Sequence, residues 1–159
     1  MIDSERQWLR LLKANPDLEA WQVAWRIGFA PGLSEAHLLT LKDALLSDDV
    51  RLIRGLTVEA ITPGLPSSKP IGACAIGYCG WKGDGLKTAQ EISDFFALHC
   101  RLADTRLGSP ALCRHFLTEF DEWSREEMRT NLLPEVELEL ARRTQPQQQD
   151  ERVLVADGE

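Results

Sequence analysis

Apolar residues recur at helical spacing along most of the chain, and helix-start signatures stand in front of several of these stripes. Ser4 with Gln7 three residues on predicts an N-terminus, after which Trp8, Leu11 and Leu12 share a face as far as Asn15-Pro16. Pro16 then suits the first turn of a second helix. Leu18, Trp21, Trp25 and Gly28 would lie on one side of it, with Gly28 and Pro31-Gly32 closing it. Ser34 predicts the cap of a third helix, in which Leu38, Leu41, Lys42 and Leu45 align. Ser47-Asp48-Asp49 reads as the cap of a short fourth, with Val50, Ile53 and Leu56 facing inward.

Residues 61–73 hold three prolines and two glycines and predict a long connection. Beyond it, Ile71 to Trp81 is apolar but built of small residues, which suits either a buried strand or a close-packed helix starting near Pro70. The helix is preferred, because a lone strand would have no partner to pair with.

The second half is more regular. Thr88-Ala-Gln-Glu91 is a capping box, followed by a 3.6-residue stripe of Ile92, Phe95, Phe96, His99, Cys100 and Ala103 up to Gly108. Ser109-Pro110 predicts the next start, with Leu112, Phe116, Leu117 and Phe120 inward. Ser124-Arg-Glu-Glu127 is a further capping box, ahead of Met128, Leu132, Val136 and Leu140, with Pro134 expected to kink that helix or to open a separate one near Asn131.

Together these elements predict an all-α protein: a single compact helical domain of six to eight helices over residues 1–143, with a flexible acidic tail over 144–159. Two halves, 1–60 and 74–143, could be joined by the Pro-rich connection 61–73.

Composition fits that reading. The 159 residues are 43% apolar and 27% charged, enough for one buried core without metal or disulfide support. Net charge is −7, distributed as −2 over residues 1–60, +1 over 61–108 and −6 over 109–159. No segment offers the basic stripe that neutralises phosphates, so neither nucleic acid nor an anionic membrane is an expected partner. Asp3, Glu5, Arg6, Arg10 and Lys13 interrupt the first twenty residues, which leaves no secretory core and predicts a cytoplasmic protein with reduced thiols.

Candidate chemistry is sparse. Gly80-Trp-Lys-Gly-Asp-Gly-Leu-Lys-Thr88 approaches a phosphate-binding loop, but Leu86 separates Gly85 from Lys87 and displaces lysine and hydroxyl by one position. An anion could still dock at the N-terminus of the helix after Thr88, beside Lys82 and Lys87. The simpler reading gives Gly80, Gly83 and Gly85 positive φ angles in a tight loop, with Lys82 and Asp84 solvated. Trp81 beside Tyr78 is either an interface anchor or a lid over the core.

Cys74, Cys79, Cys100 and Cys113 lack zinc or iron–sulfur spacing and read as small core residues, so no metal and no cofactor are expected. His99 falls on the apolar stripe of its helix, while His37 and His115 carry no nearby motif. Residues 18–46 loosely resemble a helix-turn-helix, with a lengthened turn and too few basic groups.

The favoured expectation is therefore a non-catalytic cytoplasmic module that binds another protein, or a second copy of itself, through Tyr78, Trp81, Lys82, Lys87 and Thr88. A small enzyme or anionic-ligand sensor built on the Gly80–Thr88 loop is the alternative, and a helix-turn-helix DNA binder is a third.

Overall fold

The computed structural model of the chain describes residues 3–55, 58–59 and 69–144. Most of the predicted connection, including 61–68, Leu56, which was expected to face inward, and the tail from 145 onward lie outside the described residues. The fold is a single all-α domain with seven α-helices among the described residues. Residues from 1–60 and from 74–143 share one core, in which Trp25, Phe29 and Leu38 sit with Ile76, Ile92, Phe116 and Leu132.

Helix α1 (Asp3–Ala14) ends at Asn15, whose side-chain amide donates to the Leu11 carbonyl. It begins at Asp3, so Ser4 lies inside its first turn rather than capping it. Trp8 holds α1 against the body by stacking on His115, with ring centroids 4.7 Å apart.

The second helix departs from expectation at both ends. α2 (Ala20–Val23) starts four residues after Pro16, with Glu19 at the N-cap and Gln22 closing a capping box. Gly28 does not end it. The chain continues as a π-helical turn over Ala24–Phe29 and a 3₁₀ turn over Ala30–Gly32. Gly28 lies where a Cβ would come 3.0 Å from Leu107 Cδ1 and 3.3 Å from Ala103 Cβ, so its role is close approach, not termination. Arginines from other helices reach two carbonyls of this segment, of which that of Ala30 also accepts from the Leu33 N–H at 3.1 Å. Arg106 donates to the Gly28 carbonyl at 2.8 Å, and Arg143 to the Ala30 carbonyl at 2.8 Å.

α3 (Glu35–Ser47) is capped by Ser34 as predicted, and buries Leu38, Leu41, Ala44 and Leu45 while Lys42 is half-buried. No fourth helix follows. Asp48 adopts a left-handed conformation (φ 52°) and ends α3, a geometry that aspartate tolerates better than most residues. Of the residues predicted to face inward, Val50 is 76% exposed and Ile53 is half-buried, while Leu52 between them is the buried one, 1% exposed. Arg125 fixes this corner. Its guanidinium donates to the Asp48 carboxylate, the Leu52 carbonyl and the Asp49 carbonyl at 2.6–2.8 Å.

The segment read as a helix from Pro70 begins as a strand. β2 (Pro70–Gly72) pairs antiparallel with β1 (Val58–Glu59), and Ala73 bridges in parallel to Leu52. The partner that the strand reading lacked lies in the stretch after α3, hidden by the mistaken fourth helix. Only at Ala75 does α4 (Ala75–Tyr78) begin, extended by a second π-helical turn over Cys79–Gly83.

α5 (Ala89–Leu107) runs from its Thr88–Glu91 capping box to Gly108, which has φ 103°. Ser109-Pro110 does not start the next helix. Asp104 accepts from the backbone N–H of Ala111 at 2.9 Å and of Cys113 at 2.8 Å, holding a turn in which Ala111 has φ 70°. α6 (Arg114–Glu122) therefore begins four residues after Pro110. Ser124 and Glu127 cap α7 (Arg125–Thr144), a single helix that contains Pro134 and reaches one residue into the predicted tail.

Both π turns pack on α5, and the second does so through Gly80, where a Cβ would sit 2.6 Å from Phe95 Cγ. Gly80→Ala gains about 1 kcal/mol of helix propensity, but overpacking against the root of an aromatic ring costs about 1–3 kcal/mol. The expected outcome in urea unfolding is a net loss of up to about 2 kcal/mol, partly restored when Phe95→Leu is combined with it. A gain of about 1 kcal/mol for Gly80→Ala would show that the ring moves aside freely.

Candidate functional site

The site grows from the end of α4. Cys74 stands at the N-cap in extended conformation, and the helix behind it turns Tyr78 into the core, 4% exposed. A buried phenol needs a partner for its hydroxyl. Tyr78 Oη donates to Asp49 Oδ2 at 2.7 Å.

Asp49 is the hub of this corner. Beyond the tyrosine, its carboxylate accepts from Arg51 three times: from the backbone N–H at 3.0 Å, from Nε at 2.9 Å and from Nη2 at 2.6 Å. The Arg51 hydrogen bonds above all, then that of Tyr78, hold the Asp49 carboxyl well below the usual carboxylate range. Desolvation and the neighbouring carboxylate push the Tyr78 phenol up, and Asp49 pushes the Arg51 guanidinium up.

Trp81 sits on the π turn one step further along, half-buried, with its ring edge-on to Tyr78 at 6.1 Å. Two cations attend it. Lys82 Nζ is 4.2 Å from the ring centroid and the Arg51 guanidinium carbon is 5.9 Å away, both within cation–π range. The Lys82 ammonium is pushed down, first by desolvation and then by the positive charge of Arg51, with Lys69 adding to it and Asp49 opposing. The ring therefore anchors a local concentration of positive charge on a chain that is acidic overall.

The sequence-predicted site residues thus separate into two groups. Tyr78, Trp81 and Lys82 cluster; Lys87 and Thr88 belong to the start of α5. There the helix supplies its own anion: Glu91 Oε1 accepts from the Thr88 N–H at 3.1 Å, the Lys87 N–H at 3.3 Å and the Thr88 hydroxyl at 3.0 Å. These bonds keep the Glu91 carboxyl low, and they occupy donors that an incoming anion would need.

The glycines also differ from expectation. Of Gly80, Gly83 and Gly85, only Gly85 has positive φ (73°). Gly80 and Gly83 lie within the π turn, and a Cβ on Gly83 would stand 2.8 Å from His37 Cδ2.

His37 is a structural residue that carries no motif in the sequence. Its Nδ1 accepts from the Ser34 backbone N–H at 2.9 Å, which places the ring proton on Nε2, facing Asp84 Oδ1 at 2.8 Å. Asp84 is therefore tied to α3 rather than free in solvent. Both ring nitrogens are thus engaged, one with the backbone ahead of α3 and one with Asp84. The neighbouring His99 is buried, and desolvation foremost lowers its basicity.

The four thiols are free; Cys74, Cys79 and Cys113 are buried and Cys100 is half-buried. Burial pushes Cys74 up to about 11, and Cys79 higher still. Among the described residues no three His, Cys, Asp or Glu side chains gather in a way that could hold a metal ion. Asp49, Arg51 and Lys69 were not found from the sequence. An Asp-x-Arg turn after a helix was the available signal, masked by the cap reading of residues 47–49.

The depressed Asp49 group sets a pH dependence. Its folded value lies below that of the unfolded chain, about 3.9, so its stabilisation is complete above that value. The contribution is lost as pH falls through it toward the folded value. Thermal unfolding from pH 6 to pH 2 is expected to show a steeper acid limb in the wild type than in Asp49→Asn, with Tyr78→Phe intermediate; parallel curves would contradict the Asp49 hub.

No protein-family model matches this chain, and no curated protein or solved structure is significantly similar to it.

Proposed function

We propose that this chain is a non-catalytic protein-interaction module whose docking surface centres on Trp81. The observation that carries the reading is the half-buried Trp81 ring attended by Lys82 and Arg51, with Lys69 close enough to depress Lys82 further. Tryptophan and arginine are the residue types most enriched among energetic hot spots, and a ring backed by Tyr78 and Asp49 is already held in place before a partner arrives.

Apolar surface lies in the same corner. Val50 adjoins Arg51 and is 76% exposed, and Ile71, 54% exposed, lies two residues before Ala73, whose N–H donates to the Arg51 carbonyl. An apolar centre with Lys82 over the ring, Lys69 near that lysine and Arg51 paired to Asp49 keeps a net positive charge, which suits an acidic segment carrying aromatic or aliphatic side chains, on another protein or on a second copy of this chain. A cytoplasmic setting fits the free thiols. Among the described residues no helix is long and apolar enough to cross a membrane.

The alternatives draw less support. The Gly80–Thr88 loop as an anion sensor is weakened by Glu91, which fills the helix start. For DNA reading, α3 exposes Glu35, Leu39 and Asp43 and buries His37.

Partners retained by the full chain in quantitative affinity capture would be purified and titrated against wild type, Trp81→Ala and Arg51→Ala/Lys82→Ala. Trp81→Ala is expected to weaken binding by at least about 2 kcal/mol, roughly 30-fold. The double variant should weaken binding and flatten its salt dependence. A partner indifferent to all three substitutions removes this surface as the site, and a collapse of the Trp81→Ala melting temperature would make Trp81 a core lid instead.

A further inference from the structure

The Trp81 corner combines uncovered apolar surface with uncompensated charge. Val50 and Ile71 are largely exposed, and Lys82, over the Trp81 ring, has no ion-pair partner among the described residues. Lys69 adds positive charge beside it, while Arg51 is already paired with Asp49. What completes such a corner is an apolar segment that brings carboxylates with it.

The chain itself encodes one. Outside the described residues, acidic side chains occur only in 145–159, where Asp150, Glu151, Asp157 and Glu159 bracket Val153-Leu154-Val155 and Arg152 is the single cation. Segment 60–68, by contrast, holds no charged residue.

Reach is set by α3, whose 13 residues span about 20 Å. α7 ends beside the N-terminal end of α3, where Arg143 donates to the Ala30 carbonyl just ahead of the Ser34 cap. The second π turn, which carries Trp81, closes at that same end: a Cβ on Gly83 would stand 3.2 Å from His37 Cα, in the first turn of α3. Residues 145–152 separate the end of α7 from Val153, and when extended they span about 26–29 Å, more than the whole length of α3.

We propose that residues 150–157 dock in cis on the Trp81 surface, Val153-Leu154-Val155 covering its apolar part while the flanking carboxylates meet Lys69 and Lys82, and that they occupy it until a partner displaces them. The inference rests on the reading of Trp81 as the centre of a docking surface. A tethered segment of this length competes at an effective concentration in the millimolar range, so modest intrinsic affinity is enough.

The test uses the full chain, labelled with ¹³C in the Leu and Val methyls and ¹⁵N in the indoles, at dilutions where light scattering gives a monomer. The Trp81 ring, assigned with Trp81→Phe, is expected to show nuclear Overhauser contacts to the methyls of Val153, Leu154 or Val155. Leu154→Asp should abolish them and shift the Trp81 indole resonance, leaving those of the core residues Trp25 and Trp123 unmoved. A synthetic peptide of residues 148–159 should bind Leu154→Asp at least about tenfold more tightly than the self-occupied wild type, and Lys69→Glu/Lys82→Glu should lose the peptide. A Trp81 ring without these contacts, or a peptide that binds wild type and Leu154→Asp equally, overturns the proposal. So do contacts found only between differently labelled copies, which would place a second copy's segment there. Partner binding that needs Trp81 while the contacts are absent leaves the interaction-module reading standing and removes only the docking in cis; contacts present with every partner indifferent to Trp81→Ala do the reverse.

Discussion

Everything in this fold depends on how closely two widened helical turns approach α5. A π turn spreads the backbone and adds a residue to the face that it presents, and that face must then fit an unmodified neighbour. Here each π turn meets α5 through a glycine: Gly28 against Ala103 and Leu107, and Gly80 against Phe95. With a Cβ at either place, the turn and α5 would have to part or the facing side chain would have to move. The two halves of the chain share a core because α5 receives both turns.

Two consequences follow from the first turn. Its approach carries Trp25 and Phe29 onto Phe116, at 5.1 and 5.5 Å, and α2 ahead of it places Trp21 edge-on to Trp123 at 4.9 Å. These aromatic rings join α2 to α6 and to the start of α7. Arg106 from α5 and Arg143 from α7 also donate to the Gly28 and Ala30 carbonyls at the end of this segment. Arg143 is in turn oriented by Glu139, and Glu135 holds Arg26. Buried carboxylates cost desolvation that ion pairing only about offsets, so the Arg26–Glu135 pair ties α7 to the first π turn while adding little net stability.

What the sequence made legible is what the chain decides locally. The boxes at Thr88–Glu91 and Ser124–Glu127 and the cap at Ser34 need only residues three apart, and all three stand as read. Starts and stops decided at a distance were not legible. Asp104, seven residues before Ala111, delays α6 past Pro110, and Arg125 clamps the corner after α3 from across the fold. The π turns belong to this class: nothing in Ala24–Phe29 or Cys79–Gly83 announces an extra residue per turn, and the glycines within them look like punctuation until α5 is in place. The candidate site divides the same way. Tyr78, Trp81 and Lys82 are close in sequence and remain together, whereas Asp49 and Arg51 join them from about thirty residues away.

The two π turns carry one tryptophan each, and the contrast between them is physical. Trp25 lies on the turn that faces the aromatic core, where burial is complete and the indole N–H is left without an acceptor. Trp81 lies on the turn that ends in a loop, where burial stops halfway and cations take up the exposed ring face. Helical widening of this kind persists when tertiary contacts enforce it, and it is frequent at functional sites. In this chain the glycine contacts on α5 enforce both turns, so the fit that holds the domain together also leaves one indole short of an acceptor and the other short of cover.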